Sequence, residues 1–243
     1  MTKKQFLVHE RLVPDRIPWF QIQMLWDHVD RYKFVVPYIK SKTVLDIACG
    51  SGYGTLYLAE NGAKNVLGMD LSTSAITYAK KHYSHKNVLY SVGNAESIPL
   101  KNNSIDVLVS FETIEHLNNY KNFIKEIQRV LKKNGLLIIS TPNNITGTGS
   151  KNPYHKKEFT FKEFRQLIEK QFVNINVYGQ KPVLVKYIKF INEVTKMIKN
   201  EKLRWMADTI GRIIFRGSKV MPIGHIRNGF EPLYVIIVGK NNK

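Results

Sequence analysis

Between residues 43 and 141 short β-rich apolar runs alternate with longer stretches of helical period. Thr43–Ala48, Asn65–Asp70, Asn87–Val92, Ile105–Ser110 and Leu136–Thr141 read as strands, each brief and filled with Val, Ile and Leu. Thr55–Asn61, Ser74–Tyr83 and Tyr120–Lys133 read as the helices between them, and Asn134-Gly135 is the expected stop of the last. Strand and helix in alternation imply crossover connections and a mostly parallel sheet covered on both faces.

The flanks follow other rules. Trp19–Tyr38 carries aromatic and aliphatic residues at helical spacing and is expected to pack on the core. After Thr141 the pattern loosens through Pro142-Asn143-Asn144 and Gly147–Ser150, then resumes with a helix at Phe159–Lys170 and strands at Phe172–Gly179 and Glu231–Gly239. Gln180–Gly229 is too long for a hairpin turn and rich in basic and apolar residues, so it reads as an insertion or lid. The expected plan is a helical extension at 1–42, a core at 43–179, the basic insertion at 180–229 and a final core strand and tail at 230–243.

Composition narrows the class. The chain has 243 residues, 43% hydrophobic and 23% charged, enough for one large domain with an appendage and wrong for a collagen-like, disulfide-built or wholly disordered protein. Net charge is +18, carried unevenly: residues 1–150 hold 18 basic against 12 acidic side chains, residues 151–243 hold 19 against 7. Such a surface attracts anionic partners, whether nucleic acid, phosphate or acidic headgroups, without choosing among them. Cys49 stands alone and cannot form an intrachain disulfide, which fits a reducing compartment. Met1–Val8 lacks the apolar run of a signal peptide, and no uninterrupted apolar stretch reaches the roughly 18 residues of a membrane-spanning helix. The expected location is cytoplasmic, with contact at most to the inner membrane surface.

The chemistry concentrates in Val44–Gly54. A strand carrying Asp46 leads through Ala48, Gly50 and Gly52 into a helix, so a ligand can approach backbone amides that no Cβ shields. The dinucleotide fingerprint is not met, because Thr55 stands where its last small residue belongs; a nicotinamide-dependent dehydrogenase is therefore disfavoured. Strand Asn65–Asp70 ends in an acid 18 residues beyond Gly52, placed to accept hydrogen bonds from ribose hydroxyls. Gly93–Leu100 and Phe111–Leu117 bring further polar groups to the same sheet edge.

In this order the motifs resemble the class I S-adenosylmethionine-dependent methyltransferases, most closely the branch acting on small molecules and sugars. The resemblance covers about residues 43–141. It implies a Rossmann-like α/β fold, a doubly wound seven-stranded mostly parallel sheet with the last strand antiparallel. It implies that Asp46, Ala48, Gly50 and Gly52 hold the methionine part of the cofactor, Asp70 the ribose and Leu71 the adenine. Asn94 then stands where an acid usually faces the adenine amino group, Ala95 offers a backbone amide, and Phe111 lines the cofactor. Ala48 in place of Gly and Asn94 in place of Asp are departures expected to alter affinity without abolishing it.

Methyl transfer from a sulfonium to an acceptor is an in-line displacement that needs alignment and dryness, and no metal is expected. A hydroxyl acceptor also needs a base, and His116 after the fourth strand is the first candidate. Asn152–Phe159 resembles a stretch of methyltransferases of glycan and polysaccharide synthesis, and His9-Glu10-Arg11…Pro14 resembles their opening. This implies His155 as a second base candidate, Tyr154 as a stacking surface for a sugar, and Arg11 with Arg31 as contacts to an anionic acceptor or the cofactor carboxylate. Residues 183–220 set apolar residues and Trp205 among Lys and Arg, a pattern that suits either a lid over the cleft or a membrane surface near a lipid-linked glycan. The expected activity is transfer to a sugar or glycan hydroxyl, giving S-adenosylhomocysteine. A nucleic-acid methyltransferase, ribose or base, and a non-enzymatic cofactor-fold binding module stay open as alternatives. Phe111-Glu112-Thr113-Ile114 is not the Asn/Asp-Pro-Pro-Tyr tetrapeptide of base-amine methylation, but it leaves ribose methylation untouched.

Overall fold

The computed structural model describes residues 13–14, 22–145, 152, 154–184, 223–226 and 230–243. Eight strands form one sheet: β1 (Thr43–Ile47), β2 (Asn65–Asp70), β3 (Val88–Val92), β4 (Ile105–Phe111), β5 (Leu131–Pro142), β6 (Phe172–Leu184), β7 (Gly224–His225) and β8 (Phe230–Asn241). Their spatial order is β3-β2-β1-β4-β5-β8-β6-β7. β1 through β5 pair in parallel, and β8 runs antiparallel to both β5 and β6. This is the mostly parallel sheet expected from the alternating pattern, and its antiparallel last strand is the one the family resemblance implied. The strand order reverses between β1 and β4, and at such a switch point the carboxyl ends of the strands open a crevice for a ligand.

Among the described residues five helices accompany the sheet: α1 (Ile22–Ile39), α2 (Tyr53–Glu60), α3 (Thr73–His82), α4 (Tyr120–Val130) and α5 (Phe161–Glu169), with a 3₁₀ turn at Ile114–His116. Alternate strand residues serve opposite faces. Leu45, Ile47 and Leu108 pack with Phe123, Ile124 and Ile127 of α4 and Phe164 and Ile168 of α5. Val44, Val107 and Val109 pack with Val35 and Ile39 of α1 and Leu58 of α2. Side chains start most helices: Ser72 accepts from the Ala75 amide, Asn119 from Asn122, and Thr160 with Glu163 forms a reciprocal capping box. α2 differs, because Gly52 precedes it in the left-handed region at φ +94° and supplies no side-chain cap.

The structure corrects three sequence expectations. α4 ends at Val130 and not at Lys133, because Leu131 is buried in the sheet and pairs with Ile105. Asn134, at φ +62°, therefore turns the chain inside β5, and Asn134-Gly135 does not stop the helix. The carbonyls of Gln128, Leu131 and Lys132 accept from the Asn241 side-chain amide at 3.1–3.2 Å, so a distant residue completes the helix end. Second, the sheet has eight strands and not seven, since Gly224–His225 adds a short edge to β6. Third, β6 does not stop at Gly179: it continues to Leu184 opposite Phe230, which draws the first residues of the expected insertion into the sheet. Residues 185–222 of that insertion, and Arg11 near the start, lie outside the described residues.

Candidate active site

The carboxyl ends of β1 and β2 build a cradle. Ala48 leaves β1 in the left-handed region at φ +60°, and Gly50 follows at φ +58°. Gly52 admits no side chain, since a Cβ there would come within 2.6 Å of the Ala79 Cβ. Asp70 at the tip of β2 accepts from the Gly50 amide through Oδ2 and from the Ser72 amide through Oδ1, both at 2.9 Å. The acid thus holds the turn beside it from the carboxyl end of β2. Leu71, next in the chain, is 71% exposed, an apolar side chain held open at the same edge. Asn94 is exposed, its Oδ1 accepting from the Glu96 amide at 2.8 Å in a local turn, and Ala95 beside it is buried.

Asp46 does not face this cradle. Its carboxylate is buried and accepts from Thr55 Oγ1 at 2.6 Å and from the Tyr32 hydroxyl at 3.2 and 3.3 Å. Burial pushes its pKa up to about 7 against the lowering effect of those two hydrogen bonds, with the Asp70 charge adding to the rise. Its work is to tie α1 and α2 to β1. The same inward packing governs Phe111, which is nearly buried and meets the Tyr32 ring edge to face at 5.2 Å.

Arg31, on α1, is 1% exposed, its guanidinium 6.0 Å from the ring of Phe111 at the end of β4. Its Nη1 donates to Gln180 Oε1 at 2.6 Å, and its guanidinium stacks over the Tyr234 ring at 4.7 Å. Its Nε and Nη2 have no hydrogen-bond partner among the described residues. A buried guanidinium with a vacant donor pair calls for an anion with two oxygens, such as a carboxylate.

The two candidate bases meet. The rings of His116 and His155 stand edge to face with centroids 4.8 Å apart, bringing the ends of β4 and β5 together. His116 Nδ1 lies 3.2 Å from the Tyr154 carbonyl, while Tyr154 itself is 46% exposed. His155 Nδ1 lies 2.8 Å from Glu158 Oε1, and its Nε2 3.0 Å from the Asn152 amide nitrogen. Sequence reasoning missed a third member, Glu115. It is fully buried, its Oε2 accepts from Thr141 Oγ1 at 3.0 Å, and its Oε1 sits 4.0 Å from His116 Nε2. Burial holds its pKa well above the usual carboxylate range, Glu112 adds to this, and the Thr141 hydrogen bond opposes it. Its adjacency to His116 was the only signal in the sequence, and such a pair more often lies on a surface.

Known proteins share the fold and parts of the sequence. Residues 45–139 match the family described as "Methyltransferase domain". A probable S-adenosylmethionine-dependent methyltransferase of Mycobacterium tuberculosis is 33% identical over 180 residues, 71% of this chain and 63% of the relative. The chain therefore spans less than two thirds of that relative's length. A ubiquinone biosynthesis O-methyltransferase of Pelagibacter ubique is 39% identical over 108 residues, 43% of this chain and 44% of the relative. Among solved structures, an S-adenosylmethionine-dependent methyltransferase of Thermotoga maritima, described as a possible histamine N-methyltransferase, superposes with a TM-score of 0.62 at 19% identity. It covers 91% of this chain and 94% of its own. The domain at residues 45–139 is of the S-adenosylmethionine-dependent methyltransferase type, and S-adenosylmethionine is the cofactor that type uses.

The residues present fit that cofactor. Asp70, at the tip of β2 beside the turn, would suit a ribose, Leu71, 71% exposed, would suit a purine face, and the start of α2, with no side-chain cap, would present backbone amides beside small residues. The Arg31 Nε and Nη2, which have no hydrogen-bond partner among the described residues, would suit an amino-acid carboxylate.

Proposed function

We propose that this protein transfers the methyl group of S-adenosylmethionine to a hydroxyl of a small-molecule acceptor, in particular a sugar or glycan intermediate. The observation that carries the reading is the meeting of His116, His155 and Glu115 at the carboxyl edge of the sheet, with His116 five residues beyond Phe111 in the chain. S-adenosylmethionine supplies an electrophilic methyl on a sulfonium, and the chain's own groups do the rest. Asp70, Arg31 and the Gly50–Gly52 turn hold and orient it, and the His116–Glu115–His155 cluster receives the acceptor oxygen and eases the loss of its proton. The O-methyltransferase relative favours oxygen over nitrogen as the atom methylated. The exposed Tyr154 ring, in the stretch resembling glycan-modifying enzymes, supports a sugar face as its partner.

A second reading keeps the chemistry and replaces the sugar with a ribose of nucleic acid; the net charge of +18 favours it. A lipid-linked acceptor would draw on the basic apolar stretch at 183–220, most of which is outside the described residues. No described helix is long and apolar enough to cross a membrane. Three measurements separate these. Calorimetric titration should give micromolar binding of S-adenosylmethionine and S-adenosylhomocysteine, none of NADH, and loss of both adenosyl ligands in Asp70→Ala. Release of S-adenosylhomocysteine should then rise with nucleotide sugars or lipid-linked glycans, and methylation confined to RNA would replace the glycan reading with the ribose one. Sedimentation with anionic vesicles at low salt tests the membrane contact, which is discarded if the protein stays in the supernatant.

A further inference from the structure

The same edge carries a feature that methyl transfer does not require. Glu115, His116 and His155 each present one ligand atom, and the three atoms lie within 4.8 Å of one another. The hydrogen-bond partners assign both imidazole tautomers. His116 Nδ1 faces the Tyr154 carbonyl, which only accepts, so in the neutral ring Nδ1 bears the proton and Nε2 the lone pair. His155 Nδ1 faces the Glu158 carboxylate, so its Nε2 carries the lone pair as well, accepting now from the Asn152 amide. A carboxylate or carbonyl behind a histidine is the outer support that orients metal ligands and raises their basicity. Independently, Glu115 Oε1 is buried, has no hydrogen-bond partner among the described residues, and points toward His116 Nε2 from 4.0 Å. A carboxylate oxygen and an imidazole nitrogen that face each other are complementary to one positive centre between them, a proton or a metal ion.

We propose that Glu115, His116 and His155 bind a divalent first-row metal ion, and that this ion receives the hydroxyl of the acceptor. Two imidazoles and one carboxylate suit Zn²⁺, Mn²⁺, Co²⁺ or Fe²⁺ and leave coordination positions open for exchangeable oxygen ligands. The Asn152 amide is the group the ion displaces from His155 Nε2. The displacement at carbon still needs no metal; the ion acts on the acceptor alone. A hydroxyl bound there ionises nearer neutral pH and gives its proton to solvent. Its oxygen then forms the bond to the methyl carbon, and the electron pair of the breaking C–S bond stays on sulfur as the neutral thioether. An acceptor with two adjacent hydroxyls can fill two open positions at once, which favours a vicinal diol. The inference rests on the methyltransferase reading above and deepens it, replacing proton removal by the imidazoles with acidification at the ion.

The test is titration of the full chain with Co²⁺, followed by its visible absorption, and with Mn²⁺, followed by paramagnetic resonance. One ion per chain is expected, with affinity falling roughly 10- to 100-fold or more in His116→Ala and in Glu115→Gln. His85→Ala, at a histidine that caps the Asn87 amide elsewhere, should bind as wild type. Should Glu115→Gln fail to fold, His116→Asn, at a part-exposed side chain, carries the same comparison. S-adenosylmethionine affinity, measured on the same samples, should not change in these variants. No stoichiometric binding, or binding equal in all variants, overturns the metal site. If S-adenosylmethionine still binds in that case, the methyltransferase reading survives and the imidazoles act as bases directly. Loss of S-adenosylmethionine binding in wild type would instead sink the reading beneath it.

Discussion

Arg31 Nη1 donates to Gln180 Oε1 at 2.6 Å, and the same Gln180 donates through Nε2 to the Asp27 carbonyl at 2.9 Å. One buried amide on β6 thus pins α1 from a position 149 residues away and aims the guanidinium. Arg31→Met should weaken S-adenosylmethionine roughly 10- to 100-fold in calorimetry, the value of a charge-assisted pair of hydrogen bonds. 5′-Methylthioadenosine, which has no carboxylate, should bind variant and wild type alike; equal loss for both ligands would mean the variant had damaged the fold.

Asp46 makes stability depend on pH. Its folded pKa of about 7 lies above the unfolded value near 3.8, so the folded state holds the proton more tightly. Its contribution is greatest below the unfolded pKa and declines as pH rises toward 7, by at most about 1.4 kcal/mol per pH unit. Chemical denaturation from pH 4 to 8 should show this slope, and Asp46→Asn should flatten it. An unchanged slope in the variant would assign the pH dependence elsewhere.

Gly54 packs under Tyr32 so closely that a Cβ would lie 1.9 Å from its ring. Gly54→Ala should cost about 1–3 kcal/mol, lowering Tm by several degrees. The double variant Gly54→Ala/Tyr32→Ala should lose less than the sum of the singles, because removing the ring removes the clash. Additivity would show that the strain lies in the backbone of the turn.

Ala48 occupies a left-handed position that favours glycine. Relief of about 1 kcal/mol of steric strain in Ala48→Gly is partly offset by the greater freedom of glycine in the unfolded chain. Thermal unfolding should therefore show an unchanged or slightly higher Tm, while Ala48→Val, β-branched at the same φ, should unfold at least a few degrees lower. A fall in Ala48→Gly would contradict the assigned conformation.

Much of this was legible in the residue pattern. The period of the apolar positions gave the alternating strands and helices, because burial on a sheet face or a helix stripe is a local property of spacing. Strand-end residues such as Asp70 and Gly52 could be placed on one edge for the same reason: in a parallel sheet every strand finishes on the same side. Helix ends were less legible. Asn134-Gly135 has the composition of a helix stop, yet burial of Leu131 against β4 and the reach of Asn241 ended α4 earlier.

By itself, then, the sequence determined the parallel strands of the core and their crossovers, since those follow from short-range periodicity and chain direction. Tertiary structure alone decided that Asp46 turns inward to Thr55 and Tyr32, that Arg31 is buried against Tyr234, and that His116 and His155 converge on Glu115. Those relationships depend on which distant surfaces close over one another and exclude water, and no local spacing of residues encodes that.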